Sequence, residues 1–506
     1  MKTNTCFLAA FVLLLTAGLL VSCKKTDKMP VAAEKADVMF YALAPDNMLL
    51  VCDGGRKGLV EKTITITGLM GSEKMINIDF RPATGQLYGV SNGSRLYVIN
   101  PESGVARALG SGPFTPALND EDVSFDFNPV VDRIRLITAK GQNLRLHPET
   151  GGLVAEDGAI NGVAGVRIEA AGYTNNMAGA TSSVLYDIDV TTKKLYKQDP
   201  PNAGGLVEVG RLNANFTSVG DMDITPDNQY ALTILNMDNK STLYVVDLNT
   251  GMAKQVEQFS GAMGLLAIAI PTNPVAYGIT AANGLVIFNP AKPEPVTKPI
   301  TGLASEEMLL AIDFRPANGQ LYAISNASKM YTLNLGNGAA TMVGSMAFST
   351  PLSGTSFGFD FNPTVDLIRL VSNSGQNLRL NPNTGAVQGV DGVLNPGTPM
   401  ATGAAYTNNM AGATTTTLYV LNNNDNMLYK QKPPNKGTLI EGKMGTGPLA
   451  NANGFDIGGM SGKAWFTTSS GANTMLYQLN LETGAATPAG TITGSSLTGF
   501  AVGLGF

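Results

Sequence analysis

The chain runs to 506 residues, 44% of them hydrophobic and only 14% charged, enough apolar material for one large core or several. A formal charge of −5 with no basic block argues against a nucleic-acid partner. A single histidine rules out a His-rich zinc centre. Of three cysteines, Cys6 and Cys23 lie in or beside an N-terminal leader, so a processed chain holds no intramolecular disulfide.

The opening stretch, MKTNTCFLAAFVLLLTAGLLVSCKKTDK, joins Lys2 to an apolar run over residues 7–21 that is short for a membrane span. It resembles a bacterial lipoprotein signal. Residues 1–22 then form the signal peptide, and the resemblance implies cleavage before Cys23 and lipidation of that cysteine. Residues 23–37, polar or small and containing Pro30, read as a lipidated N-terminus and tether. No later apolar run reaches membrane length. The expected location is the bacterial cell envelope, as a membrane-anchored lipoprotein facing the periplasm or exterior, with membrane lipid as one partner.

From residue 38 the chain is duplicated. IDFRPATGQLYGVSN at Ile78 returns as IDFRPANGQLYAISN at Ile312, FDFNPVVDRIRLITAKGQNLRLHPETG at Phe125 as FDFNPTVDLIRLVSNSGQNLRLNPNTG at Phe359, and YTNNMAGAT at Tyr173 unchanged at Tyr406. The halves are 38–270 and 271–506. Each carries a finer period: Asp79, Asp126, Tyr173 and Asp223 are 47, 47 and 50 residues apart, and Asp313, Asp360, Tyr406 and Asp456 are 47, 46 and 50 apart. A weaker unit, LLAIAIPTNPVAYGITAANGLVIFNP, bridges the halves. Its counterpart is split between VMFYALAPDNMLL near the N-terminus and GFAVGLGF at the C-terminus, which brings the total to ten repeats.

Within a repeat, short β-branched or aromatic runs alternate with Asn, Pro and Gly, the pattern of hairpins, and no long segment has helical periodicity with clean caps. A unit of about 47 residues fits one four-stranded propeller blade. The expected fold is all-β, as tandem five-bladed β-propellers in which LLAIAI (265–270) closes the first ring and GFAVGLGF the second. The alternative is one ten-bladed β-propeller, in which GFAVGLGF pairs with VMFYAL and joins the chain ends.

Hairpin arithmetic sets Asp79 opposite Tyr88, Asp126 opposite Arg135, Asp313 opposite Tyr322 and Asp360 opposite Arg369. Each inward carboxylate is then expected to be satisfied by its Tyr hydroxyl or Arg guanidinium. Gln142, Asn143, Gln376, Asn377, Arg145 and Arg379 read as turn-building residues, with protrusion into a ligand surface as the alternative for the two arginines. Ligand-binding candidates are Tyr173, Asn175 and Asn176 with their repeats Tyr406, Asn408 and Asn409, polar residues in a small-residue loop beside an aromatic platform. Catalytic roles are unknown; by recurrence alone, Asp126 and Asp360 are weak acid–base candidates. His147 becomes Asn381 in the second half, so no histidine chemistry is duplicated, and it reads as an exposed strand end. The 422–426 run lacks ordered calcium-loop spacing and reads as a loop. Trp465 suits a core strand. No metal and no cofactor are expected, since neither a phosphate loop nor a dinucleotide fingerprint occurs.

The ordered D-F-x-P, G-Q-N-L-R-L and L-Y-x-x-N-x-x-T-G elements, carried by the quoted stretches, resemble the bacterial domain-of-unknown-function family numbered 4394, in two copies covering nearly the whole processed chain. The resemblance implies a secreted or surface-associated β-propeller without an established reaction, so it transfers no catalytic residue. The expected function is a non-enzymatic binding or scaffold role toward envelope protein or polysaccharide. The alternative is a polysaccharide hydrolase or lyase, which needs a second carboxylate at a defined separation.

Overall fold

The computed structural model describes residues 35–261, 264–445 and 447–506. The expected signal 1–22, the expected lipidation site Cys23 and the expected tether as far as residue 34 lie outside them. The described residues form ten four-stranded antiparallel sheets and three short 3-10 turns, Pro201–Ala203, Pro434–Lys436 and Leu449–Asn451.

The hairpins arise from local side-chain chemistry. Asn128 ends the strand Val123–Asn128, and its Oδ1 accepts the backbone N–H groups of Val130 (3.0 Å) and Val131 (3.4 Å). Asp132 then takes a left-handed φ of 52°, and the chain returns as Arg133–Thr138. Asn362 and Asp366 repeat the device in the second half. The L-Y-x-x-N-x-x-T-G element works similarly. Asn100 Oδ1 accepts the N–H groups of Glu102 and Ser103, and Gly104 sits at φ 75° with room for no Cβ, since one would meet Thr65 O at 2.2 Å.

Eight sheets use four consecutive strands. The other two borrow one strand from far along the chain. Ala267–Ala269 pairs with Met39–Ala44, ahead of Met48–Asp53 and Val60–Thr65. Leu497–Val502 pairs with Ala276–Thr280, ahead of Gly284–Asn289 and Lys292–Pro299. LLAIAI and GFAVGLGF thus serve separate halves, and VMFYAL pairs with the former rather than with the C-terminus.

The inner strands of the first half, Met75–Phe80, Val123–Asn128, Ile168–Tyr173, Ser218–Ile224 and Ala267–Ala269, adjoin one another in that order, and the last adjoins the first. In the second half Leu309–Arg315, Phe357–Asn362, Ala401–Tyr406, Ala452–Ile457 and Leu497–Val502 repeat the cycle. The architecture is broadly propeller-like. Inner strands crowd closely enough to demand small residues: a Cβ on Gly358 would meet Ala404 N at 2.5 Å. The cores are wedges between successive sheets, such as Leu43, Leu49 and Ile64 of one sheet against Ile78, Phe80 and Leu87 of the next.

The halves pack against each other within one compact unit, Glu34–Phe506. The turn at residues 81–86 enters the second half, where Ala83 joins Val275, Tyr277, Phe314 and Leu504, Tyr277 Oη donates to Ala83 O (2.8 Å), and Gly505 N donates to Thr84 O (2.8 Å). Cys52 is fully buried in the first half, and burial, with Glu61 adding to it, pushes its thiol up to about 12. The native protein should therefore resist iodoacetamide at pH 8 and react with it in denaturant, as read by intact mass; rapid labelling of the native protein would contradict this burial.

Candidate functional site

Three aspartates meet where the inner strands of each half converge. In the first half Asp79, Asp126 and Asp223, each about 1% exposed, bring carboxylate oxygens within 4.8 Å of one another; Asp313, Asp360 and Asp456 do the same in the second. Each also stitches its strand to the next inner segment. Asp79 Oδ2 accepts Phe127 N (2.9 Å), Asp126 Oδ1 accepts Tyr173 N (3.3 Å) and Asp223 Oδ2 accepts Ile270 N (2.6 Å). Asp313, Asp360 and Asp456 accept Phe361 N (2.7 Å), Tyr406 N (2.9 Å) and Val502 N (2.6 Å).

Burial, then the neighbouring carboxylates, raises Asp79, Asp126, Asp313 and Asp360 well above the ordinary aspartate range. Asp223 and Asp456 are raised by burial to about 7, against the pull of their backbone donors. The first half holds a further carboxylate, Asp221, accepting Phe125 N, Ala171 N, Met222 N and Asn77 Nδ2. Its place in the second half is taken by Gly454. Asp223 was visible in the sequence only as a marker of the repeat, and Asp221, which has no counterpart in the second half, not at all. The available signal was one acidic residue recurring at the same inner-strand position in three of five repeats.

The expected hairpin partners do face each other along the backbone: Asp79↔Tyr88, Asp126↔Arg135, Asp313↔Tyr322 and Asp360↔Arg369. Their side chains take other partners. An aspartate on its short stem stays among the inner strands, whereas a guanidinium on its longer stem swings outward to the loops. Arg135 donates to Asn143 Oδ1 (2.7 Å), Asp157 Oδ2 (2.6 Å), Asn202 Oδ1 (2.7 Å) and Tyr173 Oη (3.4 Å). Arg369 repeats this with Asn377 (2.7 Å), Asp391 (2.6 Å) and Asn435 (2.7 Å). Tyr88 and Tyr322 hydroxyls instead accept from Arg81 (3.4 Å) and Arg315 (3.3 Å). Arg145 and Arg379 grip Asp157 and Asp391 with two bonds each. Asn202 and Asn435 escaped the sequence reading, although their Pro-Pro-Asn setting recurs in both halves.

Of the binding candidates, Asn176 and Asn409 are fully buried, Asn175 is half-buried and Asn408 exposed. Tyr173 edges a cavity of about 270 Å³ with Asn128, Arg133, Arg145 and Pro200. Tyr406 edges one of about 520 Å³ with Asn362, Lys430, Lys432 and Pro434. A third, of about 310 Å³, opens at the N-terminal ends of the first half's inner strands, beside Asp46, Glu121, Asp122 and Glu169. His147 is half-buried rather than exposed, and burial lowers it to about 4, with Arg133 and Arg81 adding to the effect. Asn422 ends a strand and is buried, while Trp465 is half-buried on Ala464–Ser470 opposite Asp456.

The family profile described as "Domain of unknown function (DUF4394)" matches residues 48–269 and 284–501. The chain belongs to this family. The two DUF4394 copies correspond to the two cycles of inner strands and to the two aspartate triads. A search of curated proteins finds no match. Among solved structures, the chain is similar to the extracellular domain of BT4673 from B. thetaiotaomicron in two determinations. In one, described as from a one-component system, identity is 11%, coverage 92% of this chain and 72% of the other, and the TM-score 0.26. In the other, described as from a hybrid two-component system, the values are 11%, 93%, 79% and 0.27. The Dos1 propeller shares 11% identity over 67% of this chain and 91% of its own, with a TM-score of 0.25.

Proposed function

We propose that the chain is a lipid-anchored, extracytoplasmic binding or scaffold protein, built as two five-bladed β-propellers in tandem, whose partner is an envelope polysaccharide or protein. The two cyclic sets of inner strands, each completed by its own late strand, support the tandem rings over a single ring of ten. The binding role is carried by one observation: cavities open beside Tyr173 and its repeat Tyr406, sharing the positions of Asn128 and Asn362 and of Pro201 and Pro434, and each adds basic side chains of its own. Arg133 and Lys432 suit an anionic polysaccharide best, since Arg145 is held by Asp157 and Lys430 by Glu441. The hydrolase reading fares worse, because Asp126 and Asp360 are about 1% exposed and meet other carboxylates rather than a cleft.

Full-length lipidated protein is expected to bind an anionic envelope glycan saturably. Arg133→Glu and Lys432→Glu together should weaken that binding roughly tenfold or more, by placing acids where the ligand is acidic. Folded, lipidated protein that captures neither envelope glycans nor envelope proteins would sink the binding role. The anchor has its own test. Cys23→Ser should abolish a diacylglyceryl mass increment and release the protein from membrane fractions; unchanged retention would require a different anchor.

A further inference from the structure

We infer that each aspartate triad, together with the buried asparagine beside it, binds one calcium ion. The carboxylates alone would not carry this; the asparagines add an independent observation. Asn176 is fully buried with Oδ1 unpartnered, and its amide faces the triad, Nδ2 lying 3.3 Å from Asp223 Oδ1. Turning the amide over brings Oδ1 to the same place as a cation ligand. Asn409 stands 47 residues before Asp456, as Asn176 stands before Asp223. It is fully buried with neither Oδ1 nor Nδ2 bonded, and one oxygen each of Asp313 and Asp360 likewise lacks a partner. Buried polar atoms left unpaired in this way are costly. Two of these atoms belong to the second triad and two to the asparagine that repeats Asn176, and together they mark a missing ligand.

The donor set selects the ion. All the ligands are oxygens, which favours calcium or magnesium over zinc or copper. Calcium–oxygen distances of about 2.3–2.6 Å put oxygens on opposite sides of the ion about 5 Å apart, in keeping with triads gathered within 4.8 Å. Magnesium demands a tighter octahedron and keeps several waters, which a site enclosed by inner strands does not accommodate.

The full chain, stripped with EDTA, dialysed against calcium chloride at pH 8 and desalted, should retain two calcium ions by elemental analysis. Calcium should raise Tm by about 5 °C or more over EDTA at pH 8. Asp126→Asn should lose one ion, Asp360→Asn the other, and Asn176→Ala and Asn409→Ala should each weaken one site. Wild-type protein that retains no calcium and melts identically in calcium and EDTA at pH 8 overturns the inference, as do folded triad variants that keep both ions. Because the wild-type measurements decide alone, variants that fail to fold do not shelter it.

Discussion

Ending the chain at Ser496 should abolish cooperative unfolding of the second half and drive the protein toward aggregation. The lost segment supplies the inner strand Leu497–Val502, with Leu497, Phe500, Ala501, Val502 and Leu504 each no more than about 3% exposed. Three large aliphatic side chains and one phenylalanine at roughly 1.5–3 kcal/mol each amount to about 6–12 kcal/mol, comparable with the whole net stability of a typical domain. The truncation also removes the Val502 N–H from Asp456, bares the edge of Ala276–Thr280 and withdraws Gly505 from Thr84 of the first half. Circular dichroism melting with sedimentation velocity would register the change. A truncated chain that stays monomeric and melts like the wild type would show that the C-terminal strand closes nothing essential.

That strand was legible in the sequence because GFAVGLGF and LLAIAI are small and apolar and end equivalent stretches. Hairpin register was legible too: Asp126 does face Arg135, because the NPVVD turn fixes the count. Side-chain destinations were not. Register gives Cα neighbours, whereas Arg135 bonds Asp157 and Asn202, brought in by loops 22 and 67 residues away. The identical YTNNMAGAT loops make the limit plainer. Gly179 is buried beneath Ile287 and Val296 of the second half, while Gly412 is exposed. One sequence occupies two environments because packing between halves is asymmetric, and no local pattern encodes that.

The same asymmetry separates Arg81 from its repeat, Arg315. Arg81 is wholly buried, ion-paired to Asp132 (2.5 Å) and Glu149 (2.9 Å), and its Nη1 donates to Gly319 O of the second half (3.1 Å). Arg315 holds Asp366 alone, with side-chain exposures of 12% and 39%, since the position of Glu149 is occupied by Asn383. Burial pushes the Asp132 carboxyl up, but Arg81 outweighs it and holds the group below its usual range. Glu149 goes the other way, raised by burial to about 7 despite the same guanidinium. Arg81→Ala therefore strands a buried charge, a change that typically costs about 3–5 kcal/mol, whereas Arg315→Ala leaves Asp366 open to solvent and should cost about 1 kcal/mol or less. Urea unfolding at pH 7 measures both. Part of the Arg81→Ala deficit should be recovered at pH 5, because protonating Glu149 and, with its guanidinium gone, Asp132 removes the stranded charge. Equal losses for the two variants would mean that the contact between halves contributes no more than a surface pair.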